Sequence, residues 1–198
     1  RNIEASLLKA VRSLEIGLIH LDLKDLRKLS DSEVFERVKK QNDERFFVIA
    51  EAFRRGMAIE AVHEITKIDR FFLRKIHNIV DMEQLIKKGP MTKELMLKAK
   101  KMGFADVTIG EYIGKKGLEV REMRKAWGII PTYKMVDTCA AEFDAATPYY
   151  YSTYGTEDEV GESTKKKAIV LGSGPIRIGQ GVEFDYCSVH SVWALKEL

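Results

Sequence analysis

Cysteine, excess charge of one sign and long apolar runs are all scarce in this sequence of 198 residues. Its two cysteines, Cys139 and Cys187, lie far apart and form no CxxC pair, so neither a disulfide framework nor a zinc cluster is predicted. No apolar run approaches the roughly 18 to 20 residues that cross a bilayer, and no stretch has the pattern of a signal peptide. We therefore expect a cytoplasmic protein with no membrane partner and no bound metal.

Positive and negative charges nearly cancel. The 33 Lys and Arg residues against 30 Asp and Glu residues leave a formal net charge of +3, too small an excess to indicate a nucleic-acid partner. Hydrophobic residues make up 45% of the chain, which is enough for a core and argues against global disorder. Since the sequence starts at Arg1 and ends within the amphipathic pattern ALKEL, we expect it to be a piece of a longer protein.

Apolar residues recur at helical spacing from residue 2 to residue 127, interrupted by short turns. Ser30 and Glu33 have the spacing of a capping box, and Asp69 and Thr92 are the expected N-caps of two further helices. The pattern predicts a mainly α fold, with an irregular array of about eight short helices before residue 130. Their shared faces predict a largely buried set of side chains: Phe46, Phe53, Phe72, Ile76, Ile79, Val80, Leu95 and Trp127.

The helical pattern stops after Trp127. Residues 131–155 are dense in tyrosine and have no clear periodicity, which favours a segment draped over another surface and ordered by its rings. The charged stretch 156–167 has the composition of a linker. Residues 168–171 then predict a short buried strand, followed by a glycine loop and a helix over 185–198. This order indicates the truncated start of an α/β domain, which consists of a strand, a glycine loop and a helix.

Two familiar motifs are incomplete in the helical part. His63 and Glu64 begin like the HExxH zinc motif, but Lys67 stands where the second histidine is needed. Residues 104–127 resemble a helix-turn-helix reader of nucleic acid, although Glu119 and Glu122 interrupt its basic face. The favoured interpretation is a helical hairpin that fills a core, and an autonomous nucleic-acid-binding module is the alternative.

The glycine loop at 172–181 also departs from the common nucleotide motifs. Arg177 replaces the third glycine of GxGxxG, and Gln180 and Gly181 stand where a P-loop needs Lys and then Ser or Thr. What remains is a loop whose glycines allow a close backbone approach, with Arg177 near enough to attract an anion. A tight turn with purely structural glycines is the alternative.

Several segments together carry a resemblance to a known family. They are KIDRFFLRKI at 67–76, KMGFAD at 101–106, YKMVDTCAAEF at 133–143, YYYSTY at 149–154 and GSGPIRIGQGVEFDYCSVH at 172–190. The chain resembles the carbamoyl-phosphate synthase large subunit along essentially its whole length. The match runs from that family's helical connector into the segment that opens the second half of the subunit.

The resemblance implies an ATP-dependent ligase with two homologous ATP-grasp halves. The parent enzyme is expected to make carbamoyl phosphate from bicarbonate, ammonia and two ATP, with magnesium or manganese and potassium as cofactors. A glutamine amidotransferase small subunit is expected to supply the ammonia, and the product is expected to feed arginine and pyrimidine synthesis. On this chain, the resemblance places a helical oligomerisation domain at 1–158 and the start of the second pre-ATP-grasp domain at 160–198.

The catalytic, cofactor-binding and metal-binding residues of that family fall outside this piece, so we expect the piece alone to be inactive and to serve self-association. The resemblance also implies that the glycine and glutamate of GVEF, here Gly181 and Glu183, line an internal passage for carbamate. Arg177 and Gly179 are predicted to join that lining, since Arg177 opposes the charge of Glu183 and Gly179 keeps the passage narrow.

Overall fold

The chain forms two compact units, Arg1–Val160 and Gly161–Leu198. In a computed structural model, the described residues are 2–144, 149–161, 163–171, 179–182 and 186–198. Helices make up most of the regular structure in these ranges, which confirms the predicted mainly α class. No helix in the described ranges is long and apolar enough to cross a membrane.

The first unit is an array of short helices followed by one β-hairpin. A 3₁₀ helix, Lys24–Lys28, lies between the first two α-helices. The α-helices are α1 (Ile3–Ser13), α2 (Asp31–Val38), α3 (Arg45–Arg54), α4 (Ile59–Thr66), α5 (Arg70–Lys88), α6 (Lys93–Lys101), α7 (Asp106–Ile113) and α8 (Gly117–Ala126).

The predicted helix starts are confirmed by their capping hydrogen bonds. At the start of α2, the Glu33 amide donates to Ser30 Oγ at 3.3 Å, and the Ser30 amide donates to the Glu33 carboxylate at 2.7 Å. The Phe71 amide donates to the Asp69 carboxylate at α5, and Thr92 caps α6 in the same way. Each such cap contributes about 1 kcal/mol and fixes where its helix begins.

Helix α5 lies at the centre of the unit and contacts α1, α3, α4 and α7. Its buried stripe repeats every three to four residues, as expected for a helix whose one face is covered. The stripe consists of Leu73, Ile76, Ile79, Val80, Met82, Glu83 and Ile86. Because four helices pack on this one, removal of a large side chain from the stripe leaves a cavity that several elements share.

Most of the predicted core is confirmed, and one residue is wrong. Phe53, Ile76, Ile79 and Val80 are buried, whereas Phe72 is 52% exposed. The position directly before Leu73 on α5 is rotated about 100° from it around the helix axis, so Phe72 points away from the core stripe. The remaining predicted side chains are partly buried: Phe46, Leu95 and Trp127.

The tyrosine-rich segment contains an antiparallel hairpin that the sequence pattern did not predict. Strand β1 (Thr132–Met135) pairs with β2 (Tyr150–Thr153), and Thr132 lies opposite Thr153. Each strand has four residues, too few for a clear period of two, and this explains why the segment was expected to be irregular.

The first residues of the predicted linker are bound to this hairpin. Lys134 Nζ contacts carboxylate oxygens of Glu157 at 2.6 Å and Glu159 at 3.2 Å, and the Met135 amide donates to Glu159 at 2.6 Å. The Glu159 amide also donates to the Tyr133 carbonyl. Ordered structure therefore continues to about the end of the first unit.

In the second unit, the described residues include one helix, α9 (Cys187–Glu197), near the predicted helix at 185–198. The predicted strand at 168–171 is wrong for this structure, because these residues have no strand assignment and Ile169 and Leu171 are 85% and 88% exposed. A strand forms only where a neighbouring strand accepts and donates its backbone hydrogen bonds. The described residues of this unit provide no such neighbour.

The turn after α6 yields a testable prediction. Gly103 and Gly56 both have a φ of +86°, but a Cβ at residue 103 would lie 2.8 Å from Ala5 Cα, whereas one at residue 56 meets nothing within 4 Å. Either alanine substitution introduces backbone strain of about 1 to 2 kcal/mol. We expect Gly103→Ala to reduce the free energy of unfolding by a further 1 to 3 kcal/mol or so, because α1 must move away.

Urea unfolding of the two variants, followed by circular dichroism, measures this difference. Equal losses for Gly103→Ala and Gly56→Ala would show that α1 does not press on the turn.

Candidate functional site

Two of the four predicted passage residues are described by the structure. Gly179 has a φ of +88°, and a Cβ added at Gly179 or at Gly181 would meet no atom of the described residues within 4 Å. Arg177 and Glu183 lie outside the described residues, so the predicted lining stays a prediction.

The helical unit contains a buried ion-pair cluster on the core stripe of α5. Glu83 is 2% exposed, and its carboxylate accepts from Arg54 Nε at 3.0 and 3.1 Å and from Lys87 Nζ. Arg54 also donates to Glu51 at 3.1 Å and to the Leu21 carbonyl. A carboxylate so deeply buried is tolerated only because charged donors surround it.

The pKa of Glu83 reflects this balance. Burial alone would raise the pKa of its carboxyl, but the Arg54 guanidinium and the Lys87 ammonium outweigh burial, so the pKa lies far below its usual value. Glu83 is therefore ionised in the folded protein near neutral pH. The pair Arg54–Glu83 links α3 to α5 through a charge-assisted bidentate contact.

Glu51 extends the cluster towards the 3₁₀ helix and α2. It accepts from Arg55 Nε at 2.9 Å, and Arg55 also donates to the carbonyls of Leu26 and Leu29 and to Asp31. One guanidinium thereby satisfies two carbonyls in the turns between α1 and α2. The cluster thereby holds the 3₁₀ helix and the residue after it, Leu29, against α3.

His20 borders the cluster without joining its hydrogen bonds. Its ring is 6% exposed, and Nε2 lies 3.7 Å from Glu83 Oε2 with no hydrogen-bond partner. The ring packs against Phe104, with centroids 4.8 Å apart. Burial lowers the pKa of His20 below 6.5, although Glu83 acts in the opposite direction. His20 is therefore a neutral histidine in the core, and its buried position does not suit a general base.

A second buried cluster fastens the hairpin to the helices. Asp106 accepts from Arg124 Nε at 3.0 and 3.1 Å and from Lys100 Nζ at 2.7 Å. The Tyr154 ring centroid lies 5.3 Å from Lys100 Nζ and 5.6 Å from Arg124 Cζ, which are cation–π distances. Burial lowers the pKa of Lys100, and Asp106 partly offsets this effect.

The same contacts favour the core-filling interpretation of residues 104–127. Arg124 is 8% exposed and is committed to Asp106 and to the Ile129 carbonyl, so it cannot reach a phosphate of DNA. Val120 is fully buried, and Met123 and Trp127 pack against the core. α7 and α8 therefore form a core-filling hairpin.

Neither ion cluster was predicted from the sequence. The available signal was the position of Glu83, which follows Val80 and precedes Ile86 at three-residue spacing and so lies on an otherwise apolar stripe. A charged residue at such a position indicates a buried partner. The partner Arg54 lies 29 residues away, and single-sequence spacing contains no information on that pairing.

Each of the two units contains a match to a known protein family. The family described as carbamoyl-phosphate synthetase large chain, oligomerisation domain, matches residues 1–128. The carbamoyl phosphate synthase preATP-grasp domain matches residues 164–198. The helical unit is thus of the oligomerisation-domain class.

A relative confirms the family. The carbamoyl phosphate synthase large chain of Caldanaerobacter subterraneus subsp. tengcongensis is 55% identical over 197 residues, which cover 100% of this chain. The chain belongs to the carbamoyl phosphate synthase large-chain family. It spans 18% of the length of that relative.

The Glu83 cluster yields a prediction on stability. We expect Glu83→Gln to lower the free energy of unfolding by about 3 to 5 kcal/mol, because the substitution removes the carboxylate that binds the buried Arg54 guanidinium in a bidentate contact and leaves that charge to Glu51, which also pairs with Arg55. The matched control is Glu36→Gln, which removes an exposed carboxylate paired with Lys39 and should cost about 1 kcal/mol or less. Denaturant unfolding measures both values, and similar losses would contradict the role of the cluster.

His20 predicts how stability depends on pH. Its folded-state pKa lies below 6.5, so the unfolded chain takes up a proton first as the pH falls. Stability is therefore retained above about pH 6.5 and declines as the pH falls below it, while the depressed pKa of Glu83 keeps that carboxylate ionised. Thermal unfolding from pH 8 to 5 should show this decline and a flatter profile for His20→Gln, whereas parallel profiles would exclude His20 as its source.

Proposed function

We propose that this chain is the connecting and self-associating part of a carbamoyl phosphate synthase large chain. The supporting observation is the oligomerisation-domain match over residues 1–128, which coincides with a helical unit that has its own core and buried ion pairs. Residues 161–198, which include the pre-ATP-grasp match, begin the second synthetase half. In this proposal the chain contributes assembly and connection, and catalysis resides elsewhere in the parent protein.

For the parent protein we propose the reaction of the family. It phosphorylates bicarbonate, adds ammonia to give carbamate, and phosphorylates carbamate, so that two ATP are used. The proposal includes magnesium or manganese and potassium as cofactors, and a glutamine amidotransferase small subunit as the source of ammonia. Arginine and pyrimidine synthesis in the cytoplasm are the proposed destinations of the product.

Self-association needs apolar surface that the fold leaves uncovered. The first unit exposes large apolar side chains at several places, and adjacent residues Phe71 and Phe72 are 51% and 52% exposed. Their rings contact each other with centroids 5.4 Å apart. An isolated exposed aromatic residue is ordinary, but adjacent exposed rings form the kind of patch that contact between copies covers.

Sedimentation equilibrium of the 198-residue chain over a wide concentration range tests the assembly role. We expect the average mass to rise with concentration towards a defined oligomer, since a specific contact should bury about 1,000 Å² or more in total. A strictly monomeric chain at the highest concentration would contradict self-association through this unit.

The glycine loop is proposed to serve transfer of carbamate between the two halves. Carbamate is short-lived in water, so an enclosed route between two active sites prevents its loss. Gly179 and Gly181 suit a narrow passage because they lack side chains, and the opposing charges of Arg177 and Glu183 suit a small anion that must keep moving.

We expect Gly181→Phe in the full large chain to lower overall carbamoyl phosphate formation by orders of magnitude. Both isolated partial reactions, bicarbonate-dependent ATP hydrolysis and ATP synthesis from carbamoyl phosphate, should persist, because the phosphorylation sites themselves are not obstructed. Gly161→Phe is the matched control, since Gly161 also has nothing within 4 Å of its added Cβ and lies before the loop. Loss of one partial reaction in Gly181→Phe would instead place the loop in an active site.

A further inference from the structure

A cleft of about 390 Å³ opens in the first unit between α1, the end of α6 and strand β2. Every ionisable group on its walls except the Tyr154 phenol is cationic, and the described residues lining it include no carboxylate. The walls include Lys9, Arg12, Lys100, Lys101, Gly103 and Tyr154. The cleft is therefore a concentrated positive site in a nearly neutral chain.

Two of the four cations are held by groups beside the cleft. Lys100 Nζ donates to Asp106 and to the Phe104 carbonyl, both at 2.7 Å. Arg12 Nη1 donates to the Gly103 carbonyl at 3.2 Å, which fixes its guanidinium at the wall.

Lys9 and Lys101 differ from these two. Both side chains are exposed, and neither forms an ion pair with any carboxylate in the described ranges. They approach the cleft from different helices, α1 and α6. Two ammonium groups on the walls of one cleft repel each other, and an anion bound between them offsets this repulsion.

The negative partial charges at the ends of the helices balance only part of the positive charge of the cleft. The C-terminal ends of α1 and α6 each carry about −0.5 of an elementary charge, which favours a cation nearby. The charges of Lys9 and Lys101, which no carboxylate in the described ranges balances, are available to a ligand.

The walls are also held in place before any ligand arrives. Gly103 lies so close to α1 that a Cβ there would meet Ala5 Cα at 2.8 Å, and Asn2 Nδ2 donates to the Lys101 carbonyl at 3.1 Å. The Tyr154 ring fixes the end of β2 against Lys100. Rigid walls reduce the ordering cost of binding.

We propose that this cleft binds a phosphate-type oxyanion, either inorganic phosphate or the phosphate group of a small metabolite. Lysine ammonium and arginine guanidinium donors match the several acceptor oxygens of a tetrahedral dianion. The volume falls within the range of about 300 to 1,000 Å³ typical of small-molecule sites. The proposal is independent of self-association.

Isothermal titration calorimetry of the 198-residue chain at constant ionic strength tests this, with inorganic phosphate in one arm and glycerol 3-phosphate in the other. We expect saturable one-to-one binding in at least one arm, and the tighter arm identifies the source of the anion. The double variant Lys9→Gln/Lys101→Gln should weaken binding about tenfold or more, since two charge-assisted contacts are lost.

The matched control is Lys40→Gln/Lys88→Gln, which removes the same charge from exposed lysines of the same unit outside the cleft. Its affinity should equal that of the unsubstituted chain. Absence of saturable binding in both arms, or equal weakening in the two double variants, would overturn the proposal.

Discussion

The bidentate contact between Arg54 and Glu83 is the constraint on which the helical unit depends. It joins α3 to α5 inside the core, and its extension through Glu51 and Arg55 reaches the turns between α1 and α2. Apolar packing alone resists separation of helices but specifies their register weakly. A buried carboxylate that must meet a particular guanidinium specifies one register, and every alternative leaves an unpaired charge in the interior.

A second anchor of the same type carries this order into the hairpin. Asp106 accepts from Lys100 and Arg124, and the Tyr154 ring lies beside both cations. The strand that precedes the linker is thereby fixed to α6 and α8. Cation–π contacts between Tyr154 and this ion-pair cluster thus connect the helical array with the chain that leads out of it. This arrangement suits a connector, because its exit must be positioned as firmly as its centre.

Local structure in this chain was predictable where a local interaction determines it. The capping box at Ser30 and the N-caps at Asp69 and Thr92 depend on residues three positions apart or fewer, and all three form as predicted. Helical spacing likewise identified Ile76, Ile79 and Val80 of the α5 stripe but misplaced Phe72, whose exposure depends on which face other helices cover.

The remaining features depend on pairings that spacing does not encode. Arg54 and Glu83 are 29 residues apart, and β1 pairs with β2 across a segment that shows no alternation. The predicted strand at 168–171 had the right composition, yet composition cannot supply a neighbouring strand. Of the candidate passage, the structure describes the two glycines and no charged member.

Amide hydrogen exchange of the native 198-residue chain tests the central claim most directly. If the Arg54–Glu83 contact holds the unit together, the amides of α5 around Glu83 and those of α3 around Arg54 should be the slowest to exchange. They should open together, at the free energy of global unfolding of the first unit. Faster exchange in α3 than in α8 or the hairpin, or separate opening of α3 and α5, would contradict the account.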